Sequence, residues 1–349
     1  MKIGMKTSLT IGKLVVSPPV LSAPMAGYTN YAHRALLRRL GGVGLIATEM
    51  VSARAFVCMG ARDDGEPARL YGVRDEARPL AVQIWDNCPE TLEELAGKLA
   101  HDFRVSVVDL NFGCPAPAIA KRSASGSYLL RDPDKVGELV ERVVRACAPT
   151  PATAKIRLGL TRDTINARDV AQAVEGAGGA ALTVHGRTAK QMYSGFADWD
   201  EIAKIRDVLK SIPLIGNGDI RTAEEAVSRL ENYPVDGIMI GRGGIDRPWI
   251  FREIAALLKG ETPPEAPTPV EIRDLLLEHY SLAVETFGPD LGVKIMRRVA
   301  CHYSKGRPGG RTFRDHIGRA KTDEEFRQVV ANEYIVEDGE TESSSGVDE

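Results

Sequence analysis

The segment Asn111-Phe-Gly-Cys-Pro-Ala-Pro sets one thiol between a glycine and two prolines. That composition excludes a helix and leaves Cys114 on a rigid loop. A free thiol has a pKa of about 8.5, so at neutral pH it is mostly protonated and suited to general-acid work. As a nucleophile it needs a histidine or cation beside it; none is close in sequence, and another strand can bring one. Lys155, inside the apolar run ATAKIRLG, is either a Schiff-base lysine or a cation for an anionic ring or phosphate. His185 has no second His or acid at ligand spacing, so no metal is expected. In Gly216-Asn-Gly-Asp and Gly241-Arg-Gly-Gly, small residues let backbone N–H groups approach a phosphate, and Arg242 adds charge-assisted bonds.

These residues need a frame that brings distant segments together. Short apolar, β-branched runs recur at 15–24, 44–50, 79–85, 105–113, 152–159, 180–186, 213–219 and 235–241. Helix-like stretches alternate with them at 30–40, 89–100, 132–146, 163–177, 222–230 and 248–258. This α/β alternation predicts a parallel sheet with helical crossovers, and eight strands are the number that closes a (β/α)8 TIM barrel. The open doubly wound alternative loses its best support because no G-x-G-x-x-G follows the first strand. The barrel is expected over 1–259, a Pro-rich linker (GETPPEAPTP) over 260–269, a small all-helical domain over 270–335 with helices near 270–287, 291–304 and 312–320, and an acidic disordered tail over 336–349. In such a barrel chemistry sits at the C-terminal strand ends. There the sequence places Pro24, Met25, Ala26 and Gly27, then Glu49, Gln83, Asn111 and Cys114. Lys155, Arg157, His185 and Arg187 follow, and the two glycine loops with Asn217, Gly218, Asp219, Gly241 and Arg242 close the series.

Composition narrows the function further. The 349 residues include 45 Lys+Arg and 48 Asp+Glu, which excludes wholesale disorder and a small disulfide scaffold. The uncharged run 14–33 contains three prolines and cannot span a membrane, and no secretory signal is readable. Cys58, Cys88, Cys114, Cys147 and Cys301 are scattered without a C-x-x-C, which fits a reducing cytoplasm. Charge is segregated. Nine bases face two acids over 290–321, among them Arg297, Arg298, Lys305, Arg311 and Arg314, whereas 322–349 holds ten acids and one base. The basic block is either a phosphate-binding footprint or a solvated face beside the chain's own acidic tail.

In this order, APMAGYTN, ATEMVSARA, VQIWDNCPETL, DLNFGCPAP, AKIRLG, LTVHGRTAKQMYSGFADW, PLIGNGDI, DGIMIGRGGIDRPWIF and MRRVACHYSKGRPGGRTFRDHI resemble the tRNA-dihydrouridine synthases, most closely their bacterial B-type branch. The resemblance covers about residues 10–320. It implies an FMN-binding barrel with a helical RNA-binding domain that reduces the C5=C6 bond of uridines in tRNA, with NADPH or NADH reducing the flavin. Position by position, it implies that Pro24, Met25 and Ala26 lie along the flavin, with Gln83 and Lys155 at its polar edge. Asn217, Gly218, Asp219, Gly241 and Arg242 hold its phosphate end, with His185 nearby. Asn111 and Tyr193 touch the uracil, Cys114 is the proton donor, and Arg187 and the basic residues of 290–321 serve the tRNA. The implied partner is tRNA, with no membrane and no obligatory protein partner, so a monomer. Three other readings compete. A flavin barrel acting on a small molecule has no need of the basic block. An RNA-binding protein that has lost catalysis would not keep Cys114, Lys155 and His185. A phosphate-sugar aldolase using Lys155 lacks an evident Schiff-base partner.

Overall fold

The computed structural model describes residues 6–60 and 68–334. The first five residues, 61–67 and everything from 335 onward, the expected acidic tail included, lie outside the described residues. The chain divides into two compact units, Met1–Pro264 and Glu265–Glu349.

Among the described residues, eight parallel strands form the ring of the first unit, β1 (Val20–Ser22), β2 (Ile46–Ala47), β3 (Leu80–Trp85), β4 (Val107–Phe112), β5 (Ala152–Arg157), β6 (Leu182–His185), β7 (Leu214–Asn217) and β8 (Gly237–Ile240), and the short strand Val51–Ser52 adds a parallel pairing to the end of β3. From β2 onward each pairs with its successor, and β8 pairs with β1. Between β1 and β2 the Ser22 N–H donates to Leu45 O at 3.0 Å and the Gly44 N–H to Val20 O at 2.8 Å, which draws the ring together. Strands covered on both faces read as unbroken apolar runs, which is why all eight are visible in the sequence. Helices lie between them. Asp132 caps Pro133–Cys147 by accepting from the Lys135 N–H, and that helix buries Val136, Leu139, Val140 and Val143. Thr222 and Glu225 form a reciprocal capping box on Ala223–Asn232. The (β/α)8 barrel followed by an all-helical domain is therefore the architecture observed.

Three details differ from the expectations drawn from the sequence. The first apolar run is two elements, because Ser17-Pro18-Pro19 interrupts pairing. Leu14–Val16 folds back on Leu9–Ile11 as a hairpin, and Leu9, Ile11 and Val16 pack among the buried residues Leu21, Leu45, Ala81, Val107, Ile215 and Met239. The stretch 163–177 is a 3-10 turn, Arg162–Thr164, and then a helix, Ala167–Gly176. Between them Asn166 donates from Nδ2 to Leu130 O at 2.6 Å and from its N–H to Leu158 O, which holds it out of the helix. Finally, Ala53–Gly60 and Trp199–Ile205 are helices that apolar periodicity does not reveal.

The second unit contains four helices among the described residues: Pro269–Phe287, Pro289–Tyr303, Gly310–Arg319 and Asp323–Glu333. The first begins inside the expected linker, because Thr268 and Glu271 cap each other around Pro269. Leu276, Tyr280, Met296, Phe313 and Phe326 are buried, with Tyr280 stacked on Phe326 at a centroid distance of 3.9 Å.

A buried ion pair fixes helix Tyr31–Leu40. Arg34, 1% exposed, donates to Glu76 at 2.6 Å and also to Thr29 O and Tyr71 O. Replacing Glu76 by Leu strands that guanidinium, which costs about 3–5 kcal/mol. Urea unfolding of the full chain should show the barrel transition lowered by that amount.

Candidate active site

Strand register sets the site. Gln83 lies opposite Asp109, Asn111 opposite Lys155, Arg157 opposite His185, and His185 opposite Asn217. Side chains two apart on a strand share a face, so Asp109 and Asn111 form one column and Lys155 and Arg157 another.

At the rim after β1, the Met25 N–H donates to Thr29 Oγ1 at 3.0 Å and the Tyr28 and Thr29 N–H groups return to Met25 O. The Glu49 carboxylate accepts from the Gly27 N–H. These bonds shape the turn that follows Ala23 and carries Pro24, Met25 and Ala26.

The Cys114 loop is held from several sides. Asn111 Oδ1 accepts from the N–H groups of Gly113 (3.1 Å) and Cys114 (2.9 Å), Arg157 Nε donates to Gly113 O at 2.9 Å, and the Ser127 N–H donates to Cys114 O at 3.0 Å. Gly126 is left-handed (φ 58°), and a Cβ there would come 2.7 Å from Cys114 O, so only glycine allows this approach. Burial pushes the Cys114 thiol above its ordinary range, opposed by the Ala116 N–H, Arg157 and Lys155. The thiol is therefore the protonated, acid form at neutral pH.

Across the mouth, Lys155 Nζ donates to Asn217 Oδ1 at 3.0 Å, and Asn217 Nδ2 to Met239 O at 2.7 Å. Burial and the nearby Arg157 bring the Lys155 ammonium down to about 8. Burial, then Lys155, Arg157, Arg187 and Arg242, hold His185 well below the usual histidine range. Arg187 Nη1 lies 3.2 Å from His185 Nε2, which assigns a neutral imidazole with its proton on Nδ1. Asp219 is the counter-charge. Its carboxylate accepts from Arg187 (2.6 Å), Arg242 (3.0 Å) and the Ala197 N–H (2.7 Å), and these hold it low against the desolvation that raises it. Tyr193, more than half exposed, lies under the Arg242 guanidinium at 5.0 Å and beside that of Arg157 at 5.7 Å.

The structure thus brings together Cys114, Asn111, Lys155, His185, Asn217, Gly218, Asp219, Arg242 and Tyr193, with Gly241 facing Met25. Two of the expected residues lie deep. Gln83 exposes no surface, and its amide bonds Asp109 and Asn111. Arg187 is 1% exposed and bonds Ser194 O, Gly195 O and Asp219, which anchors the 188–197 loop. Two residues carry roles that the sequence does not disclose. Arg157 stands at a strand end, and it bonds the loops at 113, 188 and 192. Asp109 is buried, and its one sequence signal is its place two residues before Asn111. Burial raises its carboxyl, opposed by Thr153, Gln83 and Lys155. In the helical unit, Arg297 donates to Gly318 O and Ala320 O and Arg314 to Ser304, Lys305 lies 3.1 Å from His302 Nδ1, and Arg298 and Arg311 are exposed. Among the described residues no cluster of three His, Cys, Asp or Glu could hold a metal ion, and no helix is long and apolar enough to cross a membrane.

The relatives of this barrel define its class. The family model for dihydrouridine synthase (Dus) matches residues 21–338. The chain is 40% identical over 311 residues to tRNA-dihydrouridine synthase B of Pseudomonas aeruginosa, covering 88% of this chain and 90% of that one. It is 36% identical over 329 residues to a probable tRNA-dihydrouridine synthase of Mycobacterium tuberculosis, covering 91% and 83%. Among solved structures, morphinone reductase in complex with tetrahydroNAD shares the fold, with a TM-score of 0.53 at 16% identity over 77% of this chain and 94% of that one. The chain belongs to the dihydrouridine synthase family, and it is an oxidoreductase.

The environment of Cys114 gives a direct test of the site. Alkylation by iodoacetamide, followed by mass spectrometry, should be slow at pH 7 and accelerate only above the ordinary thiol range, because only the thiolate reacts.

Proposed function

We propose that this chain is a tRNA-dihydrouridine synthase that uses FMN and NADPH or NADH, with Cys114 as the proton donor. The observation that carries the reading is the convergence of Lys155, Arg157, Arg187 and Arg242 on one barrel mouth that also holds a protonated thiol. The donor set fits FMN. An anionic phosphate and a polar ring edge call for cations and amide donors, and the nearby rim carboxylate, Asp219, is already paired. Arg242, Gly218 and Gly241 would take the phosphate end, Lys155 and Asn217 the polar edge, and Pro24, Met25 and Ala26 the apolar side, with His185 neutral beside them. When bound, FMN supplies the hydride that saturates C6 of the uracil.

The chain's own part is the proton. Cys114 Sγ–H gives its proton to uracil C5 as negative charge develops on the ring. The thiolate left behind sits near Arg157 and Lys155, which lower its cost, and it regains a proton from solvent. Tyr193, exposed and flanked by two guanidiniums, offers a face to the base. A uracil must leave its stack to reach a barrel mouth, so the target is a splayed-out nucleotide. The basic surface of the helical unit binds the tRNA backbone.

Two outcomes test this. Cys114→Ala should retain FMN and its reduction by NADPH, while single-turnover uridine reduction in tRNA falls on the order of 10²–10⁴-fold; an unchanged rate sinks the proton-donor role. Arg298→Glu with Arg311→Glu should weaken tRNA binding and reduce the slope of log K against log salt by about 0.7–0.9 for each phosphate no longer neutralised, with the flavin spectrum unaltered. Equal affinity at two salt concentrations would remove the helical unit from tRNA docking.

A further inference from the structure

The buried Asp109 lies at the base of a directed chain of hydrogen bonds. Its Oδ2 accepts from Gln83 Nε2 at 2.7 Å, and its Oδ1 from Thr153 Oγ1 at 2.6 Å. Gln83 Oε1 accepts from Asn111 Nδ2 at 2.7 Å. Asn111 Oδ1 then accepts the N–H groups of Gly113 and Cys114. Asp109 is 5% exposed and Gln83 fully buried, which shields these bonds from bulk water.

Each link fixes the next. A carboxylate oxygen can only accept, so Gln83 must turn its NH2 group to Asp109. Its carbonyl is then left for Asn111, which must give its own NH2 group. Only then does Asn111 present an oxygen to the two backbone N–H groups of the thiol loop. If Asp109 takes a proton, that proton goes to Thr153, whose hydroxyl can accept, and Oδ2 stays an acceptor for Gln83. The direction of the chain survives in both states. Were the two amides reversed, Asn111 would turn N–H groups toward N–H groups and release the loop.

We propose that Asp109, acting through Gln83 and Asn111, is the positioning residue that places Cys114 for proton delivery. The proposal rests on the reading of Cys114 as proton donor. Thiol placement matters because a displacement of about 1 Å at a reacting group can cost on the order of 10²-fold in rate.

The test uses the full-length, FMN-loaded protein and reads three quantities: iodoacetamide alkylation of Cys114, flavin reduction by NADPH, and single-turnover uridine reduction at saturating tRNA. Asp109→Leu removes the acceptor. It should change the alkylation rate and lower uridine reduction on the order of 10²-fold, leaving flavin reduction near wild type. Asp109→Asn folds in the same volume and retains a carbonyl for Gln83, with Thr153 accepting from its NH2 group, so it should stay close to wild type in all three.

The decisive pair reverses the two links through Gln83. Asn111→Asp alone sets an acceptor against Gln83 Oε1 and should disturb the loop. With Asp109→Asn added, the two bonds through Gln83 can re-form in the opposite direction while the Thr153 hydroxyl and the two backbone N–H groups donate as before, and the alkylation rate should return toward wild type. A double variant no better than Asn111→Asp, or an Asp109→Leu protein with wild-type alkylation and uridine reduction, overturns the proposal. Equal losses in flavin and uridine reduction by Asp109→Leu also overturn it, since they mean general damage. If Cys114→Ala keeps full uridine reduction while the alkylation results hold, the relay stands and the proton-donor reading is what fails.

Discussion

Mutual repulsion among Lys155, Arg157, Arg187 and Arg242 is the constraint around which the barrel mouth is built. Four cations close enough to add to burial in holding His185 neutral would push the loops apart unless each were held. Arg157 and Arg187 are buried and spend their donors on the carbonyls of 113, 188, 192, 194 and 195, so the charges that repel also tie three loops to the strands. Asp219 offsets two of them through a backbone conformation with φ 48°, which aspartate tolerates better than most residues. The excess of positive charge that remains faces the opening. Under the proposed function, an anion entering there would complete that balance, which is the ordinary way a protein builds affinity for phosphate.

Much of the fold was legible because parallel strands buried on both faces must be apolar throughout. The eight runs, and the caps at Asp132 and Thr222, carry that information locally. The misses have equally local causes. Nothing in a run such as 15–24 says that a double proline ends one strand and starts another in a different sheet. Helix Trp199–Ile205 had its signal in Asp198, which caps the Glu201 N–H, but a single buried turn of Trp199, Ile202 and Ile205 is too short for periodicity to show. The helix expected from 163 begins at Ala167 because of Leu130 and Leu158, which belong to other parts of the chain.

The site was legible in types more than in depth. Sequence position puts a polar residue at a strand end, and the alternation of faces says whether it points inward. How far the ring closes over it depends on neighbouring strands. Gln83 and Arg187 stand at strand ends where the sequence places them, yet both are buried. Asp109 escaped notice for the opposite reason. A lone acid in VVDLNF looks like an interruption of a core strand until Gln83 and Thr153 arrive from the strands on either side.

The hairpin that tucks Leu9, Ile11 and Val16 among the inward residues of the strands has a consequence for traffic. It makes the barrel a cup with a floor. Under the proposed activity, the nicotinamide and the nucleotide would then reach the site through the same mouth. Electrons arrive with one visitor and leave with the next.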